Sequence, residues 1–332
     1  MSVGTLVEMH SYMRPAGSAV EREFCTRYIA GLPGAYRDVF GNWHVKVTED
    51  PILWSSHTDT VHRVQGMQRI KVGADGMMRL HRKSKRVSSC LGADDTVGVY
   101  LLTEMIKAGM PGYYLFHFGE EQGCIGSREI ADQYAEWLQG FDAAIAFDRA
   151  GKADIITHQC GQRTASDTFA RSLAEQLNGS GMRYVPCDRG LFTDTESYAE
   201  IIPECTNVSI GYENAHSGQE CVDTNHVMRL RDRVVDIDIR ELVIARDPSV
   251  REMITRKVWT FKHGGMTAAQ VNDTPFDYRA YMDRDAWPDD PQDDPDDPDG
   301  WLSMERAEVE RELRAIESRE RSMIAKRYQD VH

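Results

Sequence analysis

Two adjacent carboxylates follow an apolar stretch in the middle of the chain. Residues 114–118 have the composition of a buried strand, and Glu120 and Glu121 follow it after Gly119. A carboxylate is costly to remove from water unless it is paired, hydrogen-bonded or bound to a metal. The two acids therefore indicate cation binding or proton transfer. For an isolated Glu-Glu pair a solvated turn is the better explanation, so the decision depends on the rest of the chain.

Five more residues that can bind a metal or a proton follow predicted strands, open a predicted helix or lie in a loop: His57, Asp59, Asp94, Asp148 and His216. Taken singly, each has an ordinary structural explanation. Asp94 is suited to cap a helix, Asp148 to form a turn after a strand, and His216 to be solvated in its loop. When the residues are considered together, in this order and in these structural contexts, coincidence is a much poorer explanation.

The combined pattern resembles the co-catalytic zinc exopeptidase superfamily, which includes bacterial leucyl aminopeptidases, peptidase T and the aminoacylases. The resemblance covers about residues 5–245. The motifs that carry it are His57-x-Asp59, Gly92-x-Asp94-Asp95, Glu120-Glu121, Asp148 and His216, with a helix start at Pro15-x-Gly17-Ser18 and a Gly41-Asn42 turn.

The resemblance implies two bound zinc ions, although Co²⁺ or Mn²⁺ can occupy similar sites of nitrogen and oxygen ligands. It assigns His57 and Asp148 to one ion, and Glu121 and His216 to the other. Asp94 is the carboxylate that bridges both ions. Each ion then has three protein ligands and one open position, as hydrolytic zinc sites require.

Two further carboxylates receive catalytic roles through the same resemblance. Asp59 orients the imidazole of His57, because a ligating histidine usually donates its other ring N–H to a carboxylate or carbonyl. Glu120 is the general base, which takes a proton from the attacking water. Superfamily members often have a cis peptide bond after the bridging carboxylate, which here is the bond between Asp94 and Asp95.

The expected activity is metal-dependent hydrolysis of a peptide bond, and an aminopeptidase acting on short peptides is the first hypothesis. The second is a deacylase or carboxypeptidase-type amidohydrolase, whose substrate is an N-acyl amino acid or a peptide with a free carboxylate. The third is a non-catalytic scaffold that acts through its C-terminal region. Arg149 is a candidate for binding a substrate carboxylate or carbonyl. Asp194 and Glu196 are candidates for binding a peptide ammonium, although a capped helix start explains them as well.

Strands alternate with helices along the chain, which predicts an α/β fold. We expect a three-layer sandwich, with a central mixed, mostly parallel sheet and helices on both faces. Ligands of such folds bind beyond the carboxyl ends of the strands. A peripheral hairpin is expected at residues 68–82 and a long helix at about 223–245. Only 67 residues separate Asp148 from His216, too few for the extra domain that aminoacylases and peptidase T insert there.

The composition is that of a globular protein, with 332 residues of which 41% are hydrophobic. No run of about eighteen apolar residues is present and the N-terminus lacks the pattern of a signal peptide, so a soluble, cytoplasmic protein is expected. Seven scattered cysteines without a C-x-x-C pair are expected to be reduced. No membrane or nucleic-acid partner is expected.

The net charge of −14 is concentrated near the C-terminus, where residues 283–300 hold nine Asp and one Arg. The predicted organisation is a catalytic domain at 1–248, a weakly structured extension at 249–282, a disordered Asp/Pro linker at 283–300 and an amphipathic helix at 301–332. Apolar residues recur in that helix at seven-residue spacing: Leu302, Val309, Ile316 and Met323. A solvated helix explains this pattern, and so does self-association or a protein partner bound through residues 301–328.

Overall fold

The computed structural model describes residues 3–253 and the backbone of two further strands, Lys257–Lys262 and Gly265–Gln270. These two strands pair in antiparallel fashion within the segment where a weakly structured extension is predicted. The predicted acidic linker at 283–300 and the helical tail at 301–332 lie outside the described residues.

The α-helices of the described part are α1 (Val3–Met9), α2 (Ala19–Tyr28), α3 (Ala93–Ala108), α4 (Ile125–Gln133), α5 (Ala135–Leu138), α6 (Asp167–Leu177) and α7 (Thr224–Val234). Its strands are β1 (Tyr12–Met13), β2 (Tyr36–Arg37), β3 (Trp43–Lys46), β4 (Ile52–His57), β5 (Gly66–Met67), β6 (Ile70–Val72), β7 (Met77–Leu80), β8 (Tyr113–His117), β9 (Ala143–Arg149), β10 (Asp154–Ile156), β11 (His158–Gln159), β12 (Gln162–Arg163), β13 (Val185–Cys187), β14 (Glu204–Ser209), β15 (Tyr212–Glu213), β16 (Cys221–Asp223), β17 (Lys257–Lys262) and β18 (Gly265–Gln270). Among the described residues, no helix combines the length and the apolar character that crossing a membrane requires.

The central sheet has eight strands in the order β13-β10-β14-β9-β4-β8-β3-β2. Its four inner strands, β14, β9, β4 and β8, run parallel to one another. β3 and β2 continue the sheet in antiparallel fashion on one side, and β10 pairs with β14 in antiparallel fashion on the other. Because β4, β8 and β9 are parallel neighbours, their carboxyl ends meet at the same edge of the sheet.

Helices cover both faces of this sheet, since successive residues of a strand point to opposite faces. In β4, Trp54 packs in the cluster that includes residues of α1, α2, α3, α6 and α7, whereas Leu53 packs in the cluster that includes α4 and α5. Both side chains are fully buried, and burial of an apolar side chain of this size contributes about 1.5–3 kcal/mol. The predicted α/β sandwich with helices on both faces is confirmed.

The hairpin β6–β7 is not peripheral to the candidate site. β7 pairs with β16, and β16 pairs with β15, so that the order β15-β16-β7-β6 forms a second sheet. The loop that contains His216 connects β15 to β16. This hairpin therefore supports the loop from the side.

The helix expected at about 223–245 ends at Val234, and a 3₁₀ turn at Ile239–Glu241 follows it. The apolar periodicity continues past Val234, but β-branched and Asp residues of low helix propensity occupy residues 234–239. Asp238 caps the later turn, because its side chain accepts a hydrogen bond from the backbone N–H of Arg240 at 3.1 Å. This local bond competes with a continuous helix.

Glu204 of β14 connects the end of the described body to the central sheet. This buried carboxylate accepts hydrogen bonds from the backbone N–H groups of Ser166, Ala245 and Arg246 at 2.6, 2.8 and 2.9 Å. The guanidinium of Arg246 donates in turn to the carbonyl oxygens of Ala199, Ile202 and Pro203. The segment after α7 is thus fixed to the sheet by buried hydrogen bonds.

The contact between α3 and β9 predicts a stability defect for Gly98→Ala. A Cβ atom at Gly98 would overlap the carbonyl oxygen of Phe147 and the carboxylate of Asp95. Overpacking of this kind costs about 1–3 kcal/mol, so the urea midpoint followed by circular dichroism should fall. Gly31→Ala is the control, because a Cβ there meets no atom within 4 Å. Equal midpoints for the two variants would contradict the packing described here.

Candidate metal centre

Five sequence-predicted ligands converge at the carboxyl edge of the central sheet. His57 is the last residue of β4, and Asp148 lies near the end of β9. Glu121 follows β8 after a short turn, Asp94 lies at the start of α3, and His216 lies in the loop between β15 and β16. The peptide bond between Asp94 and its successor is cis, as the resemblance implies.

Asp94 lies between two imidazoles. Its Oδ1 is 2.9 Å from Nε2 of His57, and its Oδ2 is 3.2 Å from Nε2 of His216. The two oxygens of one carboxylate thus face two different nitrogen donors. This is the arrangement expected of a carboxylate that bridges two cations.

A third donor completes each half of the cluster. Asp148 Oδ1 is 3.4 Å from Nε2 of His57 on one side, and Glu121 Oε1 is 3.1 Å from Nε2 of His216 on the other. The ligand atoms of Asp94, Glu121 and His216 all lie within 4.8 Å of one another. Each half therefore offers one imidazole nitrogen and two carboxylate groups.

The donor set fits two divalent cations. Glu121 Oε1 and Asp148 Oδ1 are buried, and neither has a hydrogen-bond donor among the described residues. A buried acceptor without a donor costs about 1–3 kcal/mol, which a bound cation offsets. The Nε2 of His216 lies close to Oε1 of Glu121, but the two atoms are not aligned for a hydrogen bond. This is the arrangement of two ligands that face the same cation. Imidazole nitrogens and carboxylate oxygens suit Zn²⁺, Co²⁺ and Mn²⁺.

Asp95 is close to the same cluster but is used structurally. It lies with His57 and Asp148 in a group whose ligand atoms are within 4.8 Å of one another. Its carboxylate accepts hydrogen bonds from the backbone N–H of His57 at 3.2 Å and of Gly98 at 2.9 Å. Asp95 therefore joins the start of α3 to the end of β4.

The ionisable groups of the cluster perturb one another strongly. Burial raises the pKa of Glu121 to about 7 and of Asp148 to about 6, and the charge of Asp94 adds to both shifts. The neighbouring carboxylates of Asp94 and Glu121 stabilise protonated His216 and raise its pKa to about 11. Burial would lower the pKa of His57, but the nearby carboxylates outweigh it and raise that pKa well above its usual value. In the absence of cations the cluster therefore retains protons, which a bound metal ion would displace.

Glu120 faces the cluster beside the proposed ligands. Its carboxylate lies within 4.8 Å of ligand atoms of His57 and Glu121. Its Oε1 also accepts a weak hydrogen bond from the thiol of Cys124 at 3.6 Å. Burial raises its pKa well above the usual value, and the charges of Asp148 and Glu121 act in the same direction. A carboxylate in this position can accept and return a proton.

Asp59 contacts both His57 and the turn that contains Glu120 and Glu121. Its Oδ1 is 3.4 Å from Nδ1 of His57, where the resemblance places the orienting carboxylate. Its two oxygens also accept hydrogen bonds from the backbone N–H groups of Glu120 and Glu121, each at 3.2 Å. The second contact was not predicted. It fixes the turn from which the two adjacent acids diverge.

Three residues that the sequence did not single out also position the ligands. Glu220 accepts hydrogen bonds from three backbone N–H groups at the start of α3, those of Gly92, Ala93 and Asp94. The hydroxyl of Tyr212 lies 3.1 Å from Asp94 Oδ2 and 2.8 Å from the carbonyl oxygen of Asp148. Thr193 donates to Asp148 Oδ2 at 2.6 Å. An acid four residues after His216 was the available signal for Glu220, but no motif marks it.

The three candidate substrate residues have different surroundings. Arg149 donates from Nε and Nη2 to Asp154 Oδ2, at 3.0 and 2.9 Å. Asp194 is buried, and burial raises its pKa to about 8; its Oδ2 lies 3.3 Å from Nδ1 of His117. Burial raises the pKa of Glu196, and the charges acting on it come from residues outside the cluster. The structure thus brings Asp194 close to the cluster and leaves Arg149 and Glu196 in other contacts; their substrate roles stay predictions.

Solved structures share the fold of this chain. Aminopeptidase PepT from Bacillus cereus is 14% identical, with a TM-score of 0.58 over 70% of this chain and 96% of that chain. A tripeptidase from Staphylococcus aureus is 14% identical, with a TM-score of 0.56 over 70% and 95%. The TET1 peptidase of Pyrococcus horikoshii is 16% identical, with a TM-score of 0.51 over 70% and 98%. No protein-family model and no curated protein matches the sequence. The chain therefore has the fold of these solved peptidase structures, in agreement with the fold that its motifs predict.

Removal of the Glu220 carboxylate should weaken metal binding without removing a ligand. Glu220→Ala deprives three N–H groups at the start of α3 of their acceptor, so Asp94 loses its support. Loss of such a supporting contact lowers metal affinity about 10–100-fold, which a Zn²⁺ titration against a competing chelator measures. Glu213→Ala is the matched control, because this acid in β15 is exposed and 3.9 Å from Lys152. Unchanged affinity in a folded Glu220→Ala variant would contradict the role given to this residue.

Proposed function

We propose that this protein is a metal-dependent exopeptidase that hydrolyses a peptide bond, and that it acts as an aminopeptidase on short peptides. The observation that carries the proposal is the position of Asp94, whose two oxygens face His57 and His216. The solved structures that share the fold include an aminopeptidase and a tripeptidase, which supports this choice of reaction.

Two groups of residues would hold the metal ions. His57, Asp94 and Asp148 form one group, and Asp94, Glu121 and His216 form the other. When bound, two divalent cations at such a site polarise the scissile carbonyl and acidify the attacking water. We propose Zn²⁺ as the ion. Co²⁺ and Mn²⁺ are alternatives, because they bind similar nitrogen and oxygen ligands.

Glu120 acts as the general base in this proposal. It accepts a proton from the attacking water and later donates it to the leaving amine. Asp59 keeps Glu120 and Glu121 in place through their backbone N–H groups. The two adjacent acids thereby have separate functions, one in proton transfer and the other in metal binding.

The charges near the cluster favour a substrate with a free ammonium group. A substrate carboxylate needs a cationic partner, and the guanidinium of Arg149 already pairs with Asp154 at 2.9 Å. Arg14 is fully buried, where it donates to the carbonyl oxygen of Thr58 and the hydroxyl of Thr96. The groups that face the cluster are instead the acids Asp94, Glu120, Glu121 and Asp148. These contacts support aminopeptidase activity over carboxypeptidase or deacylase activity.

Substitution of the two adjacent acids should separate catalysis from metal binding. Glu120→Gln should retain both metal ions and lower kcat by about 10²–10⁴-fold, because the proton acceptor is lost. Glu121→Ala should lower metal occupancy, because a ligand is lost. Metal content after dialysis and hydrolysis of amino-acid amides and dipeptides measure the two effects.

Glu175→Gln on α6 is the matched control, since this glutamate is exposed and outside the cluster. Wild-type protein stripped by a chelator should lose activity and regain it with Zn²⁺. Activity that survives both chelation and Glu120→Gln would overturn the mechanism. Preference for N-blocked substrates with a free carboxylate would select the deacylase or carboxypeptidase alternative.

A further inference from the structure

Residues 69–86, here named the basic hairpin, carry a strong positive charge on an acidic protein. They hold seven basic residues and one acidic residue in a chain of net charge −14: Arg69, Lys71, Asp75, Arg79, Arg82, Lys83, Lys85 and Arg86. All seven basic residues are exposed. Within the part of the chain that the structure describes, Arg79 pairs with Asp75 at 3.0 Å, and the other six have no ion pair.

Four of these cations meet at one cavity. Lys71, Arg79, Arg82 and Lys85 line a cavity of about 570 Å³, and Asp75 is the acid beside them. Like charges that converge on a small volume repel one another, and an anionic ligand would relieve that repulsion. The surface therefore fits a ligand with more than one negative charge.

The strand pairing places the basic hairpin beside the candidate metal centre. β7 runs antiparallel to β16, with Arg79 opposite Cys221. Because β16 begins where the His216 loop ends, the chain that leaves β7 continues toward that loop. Arg82 and Lys85 lie on this continuation, and the same segment leads to Gly92 at the start of α3. The cations are thus on the His216 side of the cluster.

We propose that the basic hairpin binds acidic side chains of a peptide substrate beyond the cleaved bond, so that the enzyme prefers peptides with Asp or Glu a few residues after that bond. This inference rests on the proposed function. Neighbouring strands are about 4.8 Å apart and an extended peptide advances about 3.4 Å per residue, so two to four residues span the distance from the His216 loop to β6.

The distribution of charge favours a short acidic peptide over a nucleic acid. The positive region is local, and the chain as a whole has net charge −14. Screening limits each charge to a range of about 10 Å at moderate salt, so a few carboxylates can be held by the hairpin alone. A nucleic acid with a charge every 1.7 Å or so would extend beyond the hairpin onto a protein whose remaining residues carry net negative charge.

Peptides of one length that differ only at the third and fourth residues, as Asp-Asp, Ser-Ser or Lys-Lys, test the proposal with the metal-loaded full chain. Wild type should show kcat/KM about fivefold or more higher for Asp-Asp than for Ser-Ser at low salt, and the ratio should fall toward one at high salt. Arg82→Glu/Lys85→Glu should abolish the preference and leave kcat/KM for Ser-Ser within about twofold, because both residues are exposed.

Arg171→Glu/Arg183→Glu changes the charge equally at exposed positions outside the basic hairpin and should retain the preference. Equal kcat/KM values for Asp-Asp and Ser-Ser in wild type would overturn the proposal. So would a loss of the Asp-Asp preference in this control as large as the loss in Arg82→Glu/Lys85→Glu.

If wild type cleaves no peptide, the proposed function fails. Binding of a fluorescent oligo-Asp peptide then tests the basic hairpin separately, and equal binding by wild type and Arg82→Glu/Lys85→Glu overturns it. Tighter wild-type binding of an oligonucleotide of equal charge also overturns the assignment to acidic peptides.

Discussion

Asp94 lies between two imidazoles because α3 begins at the edge of the sheet where β4, β8 and β9 end. Several carboxylates share this edge, and two unit charges 4 Å apart repel by about 4 kcal/mol in surroundings of intermediate polarity. Protons on His57 and His216, and protons kept on Glu120 and Glu121 by their raised pKa values, offset this repulsion, and bound cations would replace them. The pKa values of both imidazoles are raised because the nearby carboxylates stabilise the protonated rings. The other contacts of the site hold the acids in place despite their repulsion.

Backbone N–H groups do much of that holding. Asp59 accepts from the turn after β8, and Glu220 accepts from the start of α3. Each carboxylate thereby connects two elements that are distant in sequence and that both carry candidate metal ligands. A bond from a backbone N–H fixes the position of the chain and leaves the ligand side chains available. The site is consequently organised by the main chain of the fold as much as by its own side chains.

Local features of the fold were predictable from the sequence, and long-range contacts were not. Ser18 caps α2, accepting from the N–H of Glu21 at 3.0 Å, as the Ser-x-x-Glu spacing predicts. The alternation of strands and helices predicted the sheet and the edge where ligands converge. The pairing of β7 with β16 depends on a register between segments about 140 residues apart, which no local pattern encodes. Glu220 was missed for the same reason, because its partners are at Gly92–Asp94.

The hydrogen bonds of Glu204 fix the segment after α7 to the central sheet. Its carboxylate accepts from the N–H groups of Ala245 and Arg246 and from the N–H and hydroxyl of Ser166, so two of these four hydrogen bonds require the chain to extend at least to Arg246. Beyond Arg246, the backbone N–H of Arg163 donates to the carbonyl oxygen of Glu252 at 2.7 Å, and the side chains of the same two residues form a partly exposed ion pair, a type that contributes about 0–1 kcal/mol. The buried hydrogen bonds to Glu204 thus hold Ala245 and Arg246 against the sheet. Because these hydrogen bonds of Glu204 use no residue after Arg246, sequence that follows can vary in length and charge while they stay intact.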